Sequence, residues 1–129
     1  MKMNVIRLAI LVLIAASILS CSPSAKRKNR TGPRPIEILF LGHASEHHNS
    51  ALYMPMLASA LSKEGINFSY TDNPDDLNEE NLNQYDGLMI YANHDSITVD
   101  QEKALLNYVA NGPAFHPDHC ASYCFQNSP

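Results

Sequence analysis

Basic residues are almost missing from most of this chain. Of its 129 residues, positions 36–129 hold only Lys63 and Lys103 against all 13 acids, a balance of −11. That sign argues against a general nucleic-acid binder, and no nucleic-acid partner is assigned. Cysteine is scarce as well: three are too few for a disulfide scaffold. The apolar run at Leu8–Ile18 has roughly a dozen residues, short of the about 20 that a membrane-spanning helix needs. There is no internal repeat and no low-complexity tract beyond residues 22–35. No HxxxH or HxxEH spacing lies on a helix, since His43 and His47 fall in a polar loop after the first strand, so no metal is assigned and the cofactor stays unknown. What is present is globular in composition, 45% hydrophobic and 17% charged, and long enough for one domain at most.

The N-terminus reads as an address rather than as fold. Lys2 and Arg7 form a positive start, Leu8–Ile18 is the apolar centre, and Ile18-Leu19-Ser20-Cys21 follows. An apolar residue, a small residue and then cysteine resembles a bacterial lipobox, whose cysteine becomes the lipid-modified first residue of the mature chain. Residues 1–20 are therefore expected to be a lipoprotein signal peptide, with Cys21 the lipidation site. A lipid-anchored position in the bacterial cell envelope, periplasmic or at the outer membrane, follows from that. Residues 21–35 then form a basic, flexible linker: Lys26, Arg27, Lys28, Arg30 and Arg34 occur there with no acid.

From residue 36 onward strands and helices alternate. Ile36–Gly42 is an apolar run closed by glycine, as expected of a strand buried on both faces. Leu52, Met56, Leu57, Ala60 and Leu61 recur at helical spacing, with Gly65 as the stop and Pro55 confined to the first turn or kinking the helix. Asn67–Thr71 is a second strand, and Leu77 to Tyr85 a short helical or turn segment with Leu77 and Leu82 inward. Gly87–Ala92 is the third strand. Thr98 and Gln101 make a capping box for a helix that ends at Asn111-Gly112. Ala114–His119 is the fourth strand, and a helix opens at Ala121. The order β-α-β-(short α)-β-α-β-α predicts an α/β, flavodoxin-like three-layer sandwich on a parallel sheet. Ligand sites in such sheets lie beyond the carboxyl ends of the strands, which here carry Gly42-His43, Asp72, Asn93-His94-Asp95 and His119-Cys120.

At this point the chain resembles the ThuA-like (trehalose utilisation) family of the class I glutamine amidotransferase-like superfamily. The resemblance is carried by Ile38–His43 with His47-His48-Asn49, by Tyr85-Asp86-Gly87-Leu88 leading to Tyr91, by His94–Thr98 with Gln101–Leu106, Tyr108, Val109 and Gly112, and by His119-Cys120-Ala121-Ser122. It implies a carbohydrate-related role, with a sugar, keto-sugar or glycoside as the small-molecule partner. Family domains are about twice as long, so residues 36–129 are expected to be a partial domain, its N-terminal half. The fourth strand departs from the family, being Pro113-Ala114-Phe115-His116-Pro117-Asp118-His119 where the family is apolar. Proline and a His/Asp pair suit an edge strand, not a central one.

The candidate residues each carry two readings. Cys120, with His119 before it, sits where related amidotransferases hold their nucleophile, and a helix N-terminus there would favour the thiolate. A buried or site-lining thiol is the plainer alternative. Cys124 at i+4 would share a helical face with it. His43, His47, His48, Asn93, His94 and Asp95 are the expected substrate-binding set, their imidazoles and amide hydrogen-bonding sugar hydroxyls. Asp95 either orients the His94 imidazole or, with Ser96, caps the turn before Thr98. Tyr70 and Tyr91 either stack on a sugar ring or pack in the core. Whether the protein is an enzyme stays open at this stage. A non-catalytic binding module and an inactive truncated fragment are the alternatives.

Overall fold

A computed structural model describes residues 34–43, 45 and 49–128. Its sheet has four strands: β1 (Ile36–Gly42), β2 (Ile66–Thr71), β3 (Gly87–Tyr91) and β4 (Ala114–Pro117). They lie in the order β2-β1-β3-β4, and every pair is parallel. Three helices accompany them: α1 (Ser50–Leu61), α2 (Glu79–Leu82) and α3 (Val99–Ala110). The chain crosses from β1 to β2 on one side and then reverses to β3, which makes the β1/β3 boundary the switch point where such folds place ligands.

The two faces of the sheet are built differently. Leu39, Leu41, Leu88 and Ile90 point to one face and join Leu77, Leu82, Ile97 and Tyr108 in a buried cluster, with Ala104 and Leu105 of α3 packed against it. Leu41 is completely buried, and a leucine so placed contributes about 1.5–3 kcal/mol of transfer free energy. The other face carries rings. Phe40 packs on Phe68, Tyr70 and Tyr91 with centroids 6.4, 6.0 and 6.5 Å away, and α1 covers part of this face. The three-layer α/β sandwich predicted from the alternation is the fold observed.

Local signals account for most element ends. Thr98 and Gln101 form the expected capping box: Gln101 N–H donates to Thr98 Oγ1 at 3.3 Å and Thr98 N–H to Gln101 Oε1 at 2.8 Å. Gly65 (φ +75°) and Gly112 (φ +90°) close the turns after α1 and α3 in the left-handed region. Arg34, placed in the linker by composition, is held by the fold through a bidentate pair to Asp86, with contacts of 2.5 and 2.6 Å. No helix among the described residues is long and apolar enough to cross a membrane.

Two expectations, the end of β4 and a helix at Ala121, are corrected, and the structure adds two features of α1. Pro55 lies in the sixth position of α1, past the first turn, where its ring leaves the Ala51 carbonyl without the usual intrahelical donor. The apolar spacing marked the helix but not its buried side, because α1 contains no charged residue: Leu52 and Met56 face outward at 58% and 65% exposure. β4 stops at Pro117, two residues early; it lies at the edge of the described sheet with all four residues exposed, which is why proline is tolerated there. No α-helix opens at Ala121. His119–Tyr123 is a 3-10 turn instead, and Phe125, in the left-handed region at φ +64°, donates its N–H to the His94 carbonyl at 2.7 Å.

Candidate functional site

The site begins with a glycine that leaves room. At the end of β1, Gly42 has no side chain, and a Cβ there would collide with Ser50 Oγ and the Tyr70 ring. That close approach lets Ser50, the first residue of α1, reach into the strand end. Ser50 is fully buried. Its Oγ accepts the His43 N–H at 2.7 Å and donates to the His43 carbonyl at 3.0 Å, with Tyr70 OH 3.2 Å away. The backbone of His43 is thereby fixed at both of its polar groups.

β3 supplies the second half. Tyr91 pairs with Gly42 in the sheet register, so the loop Ala92–Asp95 leaves the sheet beside His43. The His94 imidazole turns back and donates from Nε2 to the Gly42 carbonyl at 3.0 Å. A carbonyl only accepts, so the proton is on Nε2 and Nδ1 keeps its lone pair. The Asn93 side-chain oxygen takes the Nδ1–H of His43, which leaves the lone pair of His43 on Nε2. The two rings stack, with centroids 4.8 Å apart and planes 26° from parallel. Burial holds the His94 imidazole below the ordinary histidine pKa, and His43 pushes the same way. The hydrogen bond to Gly42 and the Asp72 carboxylate act against both. The arrangement favours a neutral His94 imidazole that presents Nδ1 as an acceptor, which suits hydroxyl donors.

The C-terminal turn locks this loop. Phe125 N–H donates to the His94 carbonyl, and Asn127 N–H to the Asp95 carbonyl at 3.1 Å. Asn127 Nδ2 also donates to Asp95 Oδ1 at 2.6 Å. The Asp95 carboxylate therefore neither orients His94 nor caps the turn before Thr98; it is engaged by a residue 32 positions away. Cys124 Sγ donates to the Ala92 carbonyl at 2.8 Å, so its thiol braces the β3 exit, and no shared α-helical face with Cys120 exists.

The structure thus brings His43, Asn93 and His94 together and ties Asp95 to the same loop by other contacts. His119 and Cys120 follow β4 at the same end of the sheet, and their backbone lies in the 3-10 turn. The five-residue turn supplies no α-helix N-terminus, so the dipole that would favour a Cys120 thiolate is not there. His47, His48 and Cys21, with the expected signal segment at residues 1–20, lie outside the described residues. Tyr70 and Tyr91 both pack on Phe40. Among the described residues no group of three or more His, Cys, Asp or Glu is placed to hold a metal ion. The sequence reading missed Ser50 and Asn127: a serine opening a helix or an asparagine near a chain end carries no signal until its distant partner is known.

These features define a class: a doubly wound α/β protein with a pair of stacked imidazoles at the switch point of a parallel sheet. Comparison with known proteins narrows it. The model of the ThuA family, described as trehalose utilisation, matches residues 37–129, and the chain belongs to that family. The solved structure of a protein described as ThuA-like from Bacteroides uniformis superposes with a TM-score of 0.61 at 19% identity. The match covers 76% of this chain and 42% of that one. The chain thus spans less than half the length of that relative. No curated protein sequence matches.

Proposed function

We propose that this chain binds a sugar, keto-sugar or glycoside at the carboxyl end of its sheet, as a ThuA protein anchored in the bacterial cell envelope. One observation carries the reading: in a chain of the trehalose utilisation family, His43 and His94 stack as a pair at the switch point, each with one ring nitrogen committed to the protein and the other available as an acceptor. Sugar hydroxyls are the donors that such nitrogens select. His47 and His48, in the loop between β1 and α1, are added to this set by sequence position. Anchoring rests on Lys2, Arg7, the Leu8–Ile18 core and Cys21.

Binding is favoured over turnover by the partner of His43. A general-base imidazole is ordinarily oriented by a carboxylate. Here an amide, Asn93, holds His43, and Asp95 is engaged by Asn127. His119 and Cys120 are the candidates for any covalent chemistry, at the end of β4. The test is calorimetric titration of the full chain with trehalose, glucose and a 3-keto-glycoside, repeated with His43→Ala, His94→Ala and Cys120→Ala. The reading requires saturable binding that both histidine variants abolish. Binding unchanged in both variants removes the pair from the site.

A further inference from the structure

α1 turns to solvent a face that carries no charge. Leu52 and Met56, one turn apart, are exposed there, with Tyr53, Pro55 and Ala60 beside them. The line through Leu52 and Met56 runs on to Lys63, in the 3-10 turn Ser62–Glu64 that continues the helix. A single exposed leucine is ordinary, but three large apolar side chains on a helix without one ionic residue form a patch. We infer that this face of α1 rests on a lipid bilayer, with Leu52 and Met56 in the interface and Lys63 at the phosphates. The inference rests on the lipid-anchor part of the proposed function. It deepens that part by naming the side that the anchored domain turns to the membrane.

The charges of the domain are segregated to suit. An anionic bilayer repels acids, and residues 36–129 carry 13 of them. Six of these, Asp75, Asp76, Glu79, Glu80, Asp100 and Glu102, belong to α2, to the turn before it and to α3. Those elements pack on the face of the sheet that bears Leu39 and Leu88. α1 packs on the opposite face, where Tyr53 meets Tyr91 at 6.3 Å. The acidic side and the uncharged side of the molecule are thus separated by the sheet. The acid that follows α1, Glu64, stands next to Lys63 in the same turn.

The length of the linker and the place where it joins the fold argue the same way. Ile36 N–H donates to the Gly65 carbonyl at 2.7 Å, so the chain enters β1 beside the C-terminal end of α1. Residues 22–33 separate Cys21 from Arg34, and fully extended they span at most about 40 Å. α1 is about 18 Å long. A lipid on Cys21 therefore keeps α1 within reach of the bilayer that holds the lipid. Lys26, Arg27, Lys28 and Arg30 lie between the two and favour an anionic surface. With the anchor in place the second contact is intramolecular, so a small apolar face is enough to orient the domain.

The experiment places the full chain, expressed in a bacterium and labelled with ¹³C at its methionine methyls, in nanodiscs of phosphatidylethanolamine and phosphatidylglycerol. A nitroxide on the lipid acyl chains broadens the methyls that touch the bilayer, and the mass of the chain reports lipid on Cys21. Expected is loss of the Met56 signal while the signal of Met89, in the sheet, persists. Leu52→Asp, at an exposed position and checked for fold by urea unfolding, should restore the Met56 signal, and Lys63→Glu should restore part of it. With Cys21 lipidated, Met56 and Met89 affected alike overturn the docking and leave the anchor in place. A Met56 signal equally lost in Lys63→Glu overturns the role of Lys63. A dimer within the nanodisc that Leu52→Asp dissociates gives the face to a second copy of the chain and overturns the bilayer contact. An unmodified Cys21 overturns the anchor and this inference with it.

Discussion

His43 and His94, 51 positions apart in sequence, stack ring on ring at 4.8 Å, and neither owes its position to the other. Ser50 fixes the backbone of His43, and the Gly42 carbonyl fixes the ring of His94. The pair is therefore a product of the β1/β3 pairing. Any change that disturbs the end of β1 reaches both rings.

Gly42→Ala tests that dependence. The added methyl meets Ser50 Oγ and the Tyr70 ring, which are held by packing and cannot withdraw cheaply. The expected loss of stability is about 1–3 kcal/mol, measured by urea unfolding. A variant as stable as wild type contradicts the close approach.

Ser50→Ala removes a hydroxyl that serves both polar groups of the His43 backbone. The site is fully buried, so the His43 N–H loses its partner away from water. A cost of about 1–3 kcal/mol is expected, together with a change in the His43 ring-proton shift. An unchanged shift places His43 under some other control.

His94 makes stability depend on pH. Its folded-state pKa lies below the ordinary value, chiefly through burial. Above about pH 6.5 the ring is neutral folded or unfolded and contributes no pH dependence. As pH falls below that, the unfolded chain takes the proton first and stability declines, until the folded-state pKa is passed. His94→Gln should flatten the decline below about pH 6.5 relative to wild type. Parallel curves for the two proteins count against the assignment.

Thr98→Ala breaks the capping box of α3 and should cost about 0.5–2 kcal/mol. Gln101 Nε2 also donates to Asp75 Oδ1 at 2.8 Å, so Gln101→Ala removes a tie to the segment before α2 as well and should cost at least as much. Equal stability of either variant and wild type in urea contradicts the capping account.

What the sequence revealed follows from range. The strand at Ile36–Gly42, the box at Thr98/Gln101 and the stop at Gly112 are set by neighbours within a few residues, and each stands where its pattern put it. The parallel sheet also followed, because alternation with short connections leaves few topologies. The meeting of His43 with His94 followed from that topology. Contacts set at long range were hidden. Asp95 was read with its neighbours Ser96 and Thr98, yet Asn127 takes its carboxylate. The residues after Ala121 lack a helix because Phe125 and Asn127 spend their N–H groups on the β3 exit loop rather than on a helical ladder. The exposure of Leu52 and Met56 was equally unreadable, since a helix with no charged residue shows no polar face to mark its outer side.

The most direct test of the central claim is an imidazole ¹⁵N spectrum of the full chain during titration with trehalose and a 3-keto-glycoside. The account predicts saturable shifts at His43 Nε2 and His94 Nδ1, the two nitrogens the protein leaves as acceptors. Glycoside binding that leaves both signals unmoved, or a chain that binds none of these sugars, contradicts it.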